Sequence, residues 1–228
     1  MSAGRAIAEC VLVVLLSLLG SLLGSLTGWL PAAPILGMVL PVIGATWFLH
    51  REGIGWRDLG FAQRMPLGRF FGFTIGTLVL VFVVTSFVVT PLARALGAGP
   101  LDVSLLEVLI HDNWINYLWF LIPISWGSAA FGEELIARGF LLHRFTGVVG
   151  AHGGVILQAV LFALAHAYQG WLGVANIFAL ALVFGYAFRL CGRNLWPLIA
   201  AHGIIDTLGM TLLFLGRTDL VVGADTSG

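Results

Sequence analysis

Five ionisable side chains sit inside strongly apolar stretches of this 228-residue chain: Glu133, Glu134, His166, His202 and Asp206. Glu134 and Arg138 are four residues apart, which places them on one helix face, and Glu133 is turned about 100° from Glu134. One carboxylate can therefore be held by the arginine while the other stays free. Phe162 and His166 are also four apart, as are His202 and Asp206. Carboxylate and imidazole together in a dry site suit the activation of water. The carboxylate takes a proton as general base, and the imidazole positions the water or relays the proton. A second imidazole can donate to a developing oxyanion. Such a set hydrolyses an acyl bond, most naturally a peptide bond. No Ser or Cys stands beside these histidines in an activating arrangement, which argues against a covalent nucleophile. Glu133, His166, His202 and Asp206 are also suitable ligands for a divalent metal such as Zn2+, although the HExxH spacing is absent. Both alternatives stay open at this point.

The elements that position these groups follow from composition. Hydrophobic residues make up 59% of the chain and charged residues 10%, and the mean hydropathy is +1.01. Average soluble domains carry roughly a quarter charged residues. The shortfall excludes a soluble globular protein, a disordered chain and a nucleic-acid binder, which needs a basic face. The period-2 alternation of a membrane barrel is absent. The fold class is all-α: a polytopic transmembrane helical bundle of about seven spans, at about 6–29, 33–50, 68–91, 115–145, 152–168, 172–189 and 195–215. The chain reads as a single integral membrane domain over 1–228, with a catalytic core over 115–215. The first span reads as a membrane helix rather than a signal peptide, because its apolar stretch is too long and no small-x-small cleavage site precedes Pro31.

All eleven basic residues are Arg. With the N-terminus inside, Arg5, Arg51, Arg57, Arg64, Arg69, Arg138, Arg144, Arg189 and Arg193 face the cytoplasm, and only Arg94 and Arg217 lie outside. That bias predicts a cytoplasmic N-terminus and, after seven spans, an outside C-terminus. The expected location is the plasma (inner) membrane.

Burial sharpens the argument. One charge near the bilayer centre costs about 2.5–3.5 kcal/mol, so four left unpaired cost on the order of 10 kcal/mol, comparable to a whole domain's stability. The five groups must share a polar cavity. Glu133 lies 14 residues before Gly147, and His166 lies 14 residues after His152. Both are about 20 Å from the intervening turn, and His202 and Asp206 are roughly 12–18 Å past Asn194. These depths predict one cavity open to the cytoplasm. They also predict that Arg138, His143 and Arg144 emerge at the inner interface. A structural network that glues helices together is the bland alternative.

The pattern Glu133-Glu134-x-x-x-Arg138-Gly139, then Phe162-x-x-x-His166, then His202-x-x-x-Asp206 resembles the CPBP intramembrane proteases. That family includes the type II CAAX prenyl endopeptidases and the bacteriocin-processing and self-immunity proteins. The resemblance covers about 115–215. It implies that Glu133 and His166 activate the attacking water, that His202 and the residue four on form the oxyanion site, and that Glu134 and Arg138 support the first motif. The best understood prenyl-protein proteases carry Asn where this chain has Asp206. An ionised Asp would repel an oxyanion, so Asp206 must be protonated, orient His202 or bind a metal. Members are often labelled metalloproteases. The implied partners are the bilayer and a membrane-associated protein or peptide substrate. Two other readings stand beside this one. The first is a non-enzymatic scaffold or immunity protein binding a partner helix. The second is a small proton- or cation-coupled transporter, which would be expected to show an inverted repeat that is not visible here.

Other features have plain expectations. Gly20, Gly24 and Gly28 mark tight helix contact within the bundle. Residues 53–61 suit a headgroup-level segment. Gln158 and Asn176 read as helix-to-helix hydrogen bonds. Glu107 and His111 read as a solvated turn, and His50, His143 and His152 as solvated. Cys10 and Cys191 read as inert thiols, and the tail after Arg217 as polar and frayed.

Overall fold

A computed structural model describes residues 2–61 and 64–222, and these contain helices and no strand. In order they are α1 (Ala3–Ser25), α2 (Ala32–His50), a short turn Arg57–Phe61, α3 (Leu67–Ala95), α4 (Ser104–Ile110), α5 (114–149), α6 (151–165), α7 (Gly170–Leu190), α8 (Trp196–Phe214) and α9 (Thr218–Val222). Six helical stretches are long and apolar enough to cross a membrane. One of them, Trp114–Ala165, runs for 52 residues. At 1.5 Å per residue it would reach about 78 Å, far beyond a ~30 Å hydrocarbon core. It is broken at Gly150, whose φ of 75° and ψ of 179° leave the helical region. Glycine enters that left-handed region without a Cβ clash. Divided there, the stretch supplies two spans, and about seven is the count.

The outward surface is apolar. Leu18, Phe82, Phe87 and Leu164 are all more than half exposed, as lipid-facing side chains are. The interior gathers between α5, α6, α7 and α8, around Phe162, Phe184, Phe188, Leu195 and Leu198. Gln158 is fully buried there, and its amide donates to the Ala181 carbonyl of α7 and the Val155 carbonyl at 3.0 Å. Asn176 donates to the Thr90 hydroxyl of α3 at 3.2 Å. Both are the helix-to-helix bonds expected of them.

α1 and α2 pair closely. A Cβ on Gly20 would stand 2.1 Å from the Leu36 carbonyl oxygen, and one on Gly24 would stand 2.4 Å from that of Ala32. The glycines let two backbones touch, and Ser17 fastens the contact by donating to the Gly37 carbonyl at 2.7 Å. The small-residue face thus works within the bundle through Gly20 and Gly24; Gly28 lies past the end of α1, where a Cβ would meet nothing within 4 Å, and serves the turn with a φ of 71° instead.

At one end of the molecule four charged groups close a ring. Arg5 lies 2.8 Å from Glu9 and 3.0 Å from Glu52, and Arg144 lies 2.8 Å from Glu9 and 2.7 Å from Glu52. Arg144 does not emerge at the interface as expected. It is 1% exposed and sits over the Phe140 ring. Two carboxylates from α1 and the loop after α2 neutralise it, which lets it stay inside. Arg138 is likewise buried, deeper in the bundle. The turn at 189–193 lies beside 142–146, and Leu195 N–H donates to the Gly60 carbonyl. The Arg-rich loops therefore meet at one end. At the other, Asp102 N–H donates to Gln169 and Asp112 N–H to Phe214.

Several peripheral expectations are corrected. Residues 53–61 do more than rest at a headgroup level. Leu59 is buried, and Trp56 donates to Thr46 and lies against Gly139. His152 is exposed, as expected, and its Nδ1 also meets the Tyr186 hydroxyl at 3.1 Å. Glu107 accepts from Thr218. The tail winds into α9 as far as Val222, and its remainder, 223–228, lies outside the described residues. Cys10 and Cys191 are both buried, as expected of inert thiols.

Two outcomes follow. Leu in place of Gly24 forces α1 from α2 and lowers stability by about 1–3 kcal/mol, read as a lower denaturation midpoint in mixed micelles; an unchanged midpoint would contradict the close contact. Partial burial raises the Glu52 carboxyl, but the Arg144 hydrogen bond and the charges of Arg144 and Arg5 outweigh it, so its pKa lies below the ordinary 4.5. A depressed carboxyl stabilises above its unfolded pKa, and that contribution fades as pH falls through the folded value. Stability measured downward from pH 6 should show an acid-dependent loss below about pH 4.5 that is smaller in Glu52→Gln.

Candidate active site

The site is built on α5. The backbone there is wound with i→i+5 hydrogen bonds over Phe120–Glu133 and again over Leu135–Leu141. Such wide turns are uncommon and recur at functional sites. Glu133 ends the first wide stretch, and Glu134 stands between the two. Gly132 precedes them because the Met38 side chain of α2 occupies the space a Cβ would need.

Glu134 and Arg138 are both 0% exposed and form an ion pair of 2.9 Å. The guanidinium lies over the faces of Phe162 and Phe184, at 4.7 and 5.1 Å. Cation–π attraction of that kind strengthens when both partners are desolvated. The same Glu134 oxygen accepts from His202 Nδ1 at 2.9 Å. A carboxylate acceptor fixes the proton on Nδ1 and aims Nε2 the other way. That Nε2 lies 4.0 Å from Glu133 Oε2 and 3.8 Å from Asp206 Oδ1. Both separations exceed a hydrogen bond. Glu133 Oε2 is buried and makes no hydrogen bond among the described residues. Arg138 thus holds one carboxylate and the other is free, as the spacing predicts.

His166 ends α6. Its Nδ1 donates to the Phe162 carbonyl at 2.8 Å, so Nε2 carries the free lone pair of the neutral ring. His166 and Glu133 line one cavity of about 350 Å3. Its other walls are almost wholly apolar and include Val13, Ser17 and Leu18 of α1, and Met38 and Pro41 of α2. Leu18 and Leu164 are 62% and 57% exposed on the outward helix faces, so the lining runs out to the lipid-facing surface between α1 and α6. The Phe162 ring neighbours both imidazoles, tilted against His166 at 4.9 Å and edge-on to His202 at 6.5 Å.

All seven residues singled out in the sequence therefore come together: Glu133, Glu134, Arg138, Phe162, His166, His202 and Asp206. The α1 and α2 wall was not singled out, because apolar positions in apolar helices carry no local mark of a cavity. Tyr168, whose ring is stacked 6.0 Å from His166, was also passed over, though its place two residues after His166 was visible.

As arranged, the donors do not make a metal centre. Among the described residues no three His, Cys, Asp or Glu side chains are placed to hold one ion. Glu134 and His202 Nδ1 are committed to each other, and His166 Nδ1 to a carbonyl.

Residues 114–208 match the family model described as Type II CAAX prenyl endopeptidase Rce1-like. The matched segment contains all three motifs and bears out their resemblance to the CPBP/CAAX proteases. No curated protein and no solved structure matches the chain. Over that segment the chain is similar to the type II CAAX prenyl endopeptidases, and the six apolar helical stretches mark an integral membrane protein.

The geometry separates the two adjacent carboxylates. Glu134→Ala leaves Arg138 buried without its partner and should cost about 3–5 kcal/mol. Glu133→Gln removes an unpartnered charge and should stay within about 1 kcal/mol of wild type. Denaturation in mixed micelles measures both, and equal losses would refute the division.

Proposed function

We propose that this protein is an endopeptidase that cuts a membrane-associated protein or peptide with a water activated by Glu133 and His166. One observation carries the reading: a carboxylate whose buried Oε2 has no hydrogen-bond partner among the described residues, 4.0 Å from an imidazole nitrogen, on the wall of a cavity it shares with a second imidazole. A water held there gives a proton to Glu133 as its oxygen attacks the scissile carbonyl carbon. His166 accepts a hydrogen bond at Nε2 and keeps the water aligned. The charge that develops on the carbonyl oxygen meets His202, which as an imidazolium donates from Nε2 while Nδ1 remains on Glu134. Glu133 then returns the proton to the departing amine nitrogen as the C–N bond breaks. Glu134 and Arg138 act through His202 and are positioning residues. Asp206, 3.8 Å from His202 Nε2, steadies the imidazolium rather than contacting the oxyanion. No metal enters this scheme.

The apolar walls and the lining that reaches the lipid-facing surface support a substrate with an apolar segment that arrives from the bilayer. The Arg-rich end supports a cytoplasmic N-terminus and an outside C-terminus, and the plasma membrane is the proposed location.

Cleavage of a membrane-anchored reporter tests the reading. Glu133→Gln and His166→Ala should each lower turnover at least about 100-fold while folding normally. Folded variants that still cleave would overturn it. A wild type that binds the reporter but never cuts it, with both variants binding equally, would favour a scaffold.

A further inference from the structure

At the Arg-rich end a second, smaller cavity of about 60 Å3 lies between α5 and the end of α7. It is lined by Leu142, His143, Thr146, Phe188, Arg189 and Arg193. Its polar side chains are two guanidinium groups, an imidazole and a hydroxyl, with no carboxylate. Neither the Arg189 nor the Arg193 side chain forms an ion pair or hydrogen bond among the described residues, and the same holds for the Thr146 hydroxyl. The nearest carboxylate that acts on His143 is Glu52, and Glu52 is already held by Arg5 and Arg144. The ring of four charges beside the pocket is therefore neutral, and among the described residues no carboxylate pairs with either arginine.

Arg189 lies in the last turn of α7, and the loop that carries Arg193 is fixed. Arg193 takes a left-handed φ of 59°, its N–H donates to Phe188 at 2.8 Å, and Cys191 donates to the Phe188 and Asn194 carbonyls at 3.2 Å. A non-glycine residue held there is strained and persists only where its surroundings over-determine it. Two guanidinium forks and a hydroxyl around a small cavity match the tetrahedral oxygens of a phosphate. At the ends of membrane helices, basic pockets of this kind meet the headgroups of anionic lipids.

We propose that the pocket between 142–146 and 188–193 binds a phosphate group, carried by an anionic lipid headgroup or free in solution. Arg189 and Arg193 take its oxygens, and Thr146 donates to a third. This site is separate from Glu133 and His166 and does not depend on the protease reading.

The test uses the full chain with Arg189→Gln/Arg193→Asn, since Asn tolerates the left-handed backbone at 193. Both side chains are exposed, and Arg189→Gln alone serves if the double variant does not fold. Arg51→Gln, a charge loss at the same end, is the control. Native mass spectrometry counts phosphatidylglycerol retained from mixed phosphatidylcholine vesicles, and thermal melting in neutral detergent follows added inorganic phosphate. Wild type and Arg51→Gln should retain phosphatidylglycerol, melt higher with phosphate, or both, and the double variant should lose that response at least tenfold. Loss of the lipid response alone assigns the headgroup as source, loss of the phosphate response alone assigns the free anion, and loss of both assigns the phosphate group itself. No response in wild type, an undiminished response in the double variant, or an equal loss in Arg51→Gln would overturn the site.

Discussion

A guanidinium with no exposure to solvent governs the architecture of this bundle. Arg138 is placed where an isolated charge is untenable, and everything around it answers that charge. Glu134 pairs with it from one turn away, Phe162 and Phe184 cover it with their faces, and His202 joins from α8 through the same Glu134 oxygen. Four helices, α5, α6, α7 and α8, are thereby tied to one point. The tie determines which way the His202 ring faces, and so which nitrogen is left for chemistry. It also determines which carboxylate is left, because Glu134 is consumed in the structure and Glu133 is not.

The same logic recurs at the Arg-rich end with a different result. Arg144 is as buried as Arg138, but it is answered by Glu9 and Glu52 from outside its own helix. That ring holds α1 against α5. α1 is in turn locked to α2 by glycines at positions where a side chain would strike backbone. Because α1 and α2 form the wall facing Glu133 and His166, contacts near the end of the molecule set the shape of a cavity deeper within it. In a bundle whose outer surface gains nothing from leaving lipid, such polar ties and close backbone contacts do the work that hydrophobic burial does in water.

Much of this was legible in the chain. Apolar length gave the spans, and the four-residue spacings of Glu134 with Arg138 and of His202 with Asp206 placed them on shared faces. The cost of charge in lipid required the five groups to meet. What could not be read was anything joined across a long sequence distance. Arg144 and Glu52 are 92 residues apart, and nothing periodic connects them, so Arg144 was expected at the interface instead of inside. Glu9 was a visible signal, standing alone in an apolar helix four residues after Arg5, and it marks the partner that Arg144 needed. The wide winding of α5 has no composition that announces it. The apolar wall was hidden for the opposite reason, since every outward residue of a membrane helix looks like a lining residue.

The central claim is that His202 Nδ1 and the Glu134 carboxylate share a proton-bearing contact inside the bundle, leaving Glu133 to the cavity. Solid-state NMR on protein in bilayers, with 15N-labelled histidine and 13C-labelled glutamate, measures this contact directly. The account predicts a strong dipolar coupling between His202 Nδ1 and the Glu134 carboxyl carbon that vanishes in Glu134→Gln/Arg138→Met and survives in Glu133→Gln. A His202 ring coupled to no carboxylate, or coupled to Glu133 in place of Glu134, would contradict it.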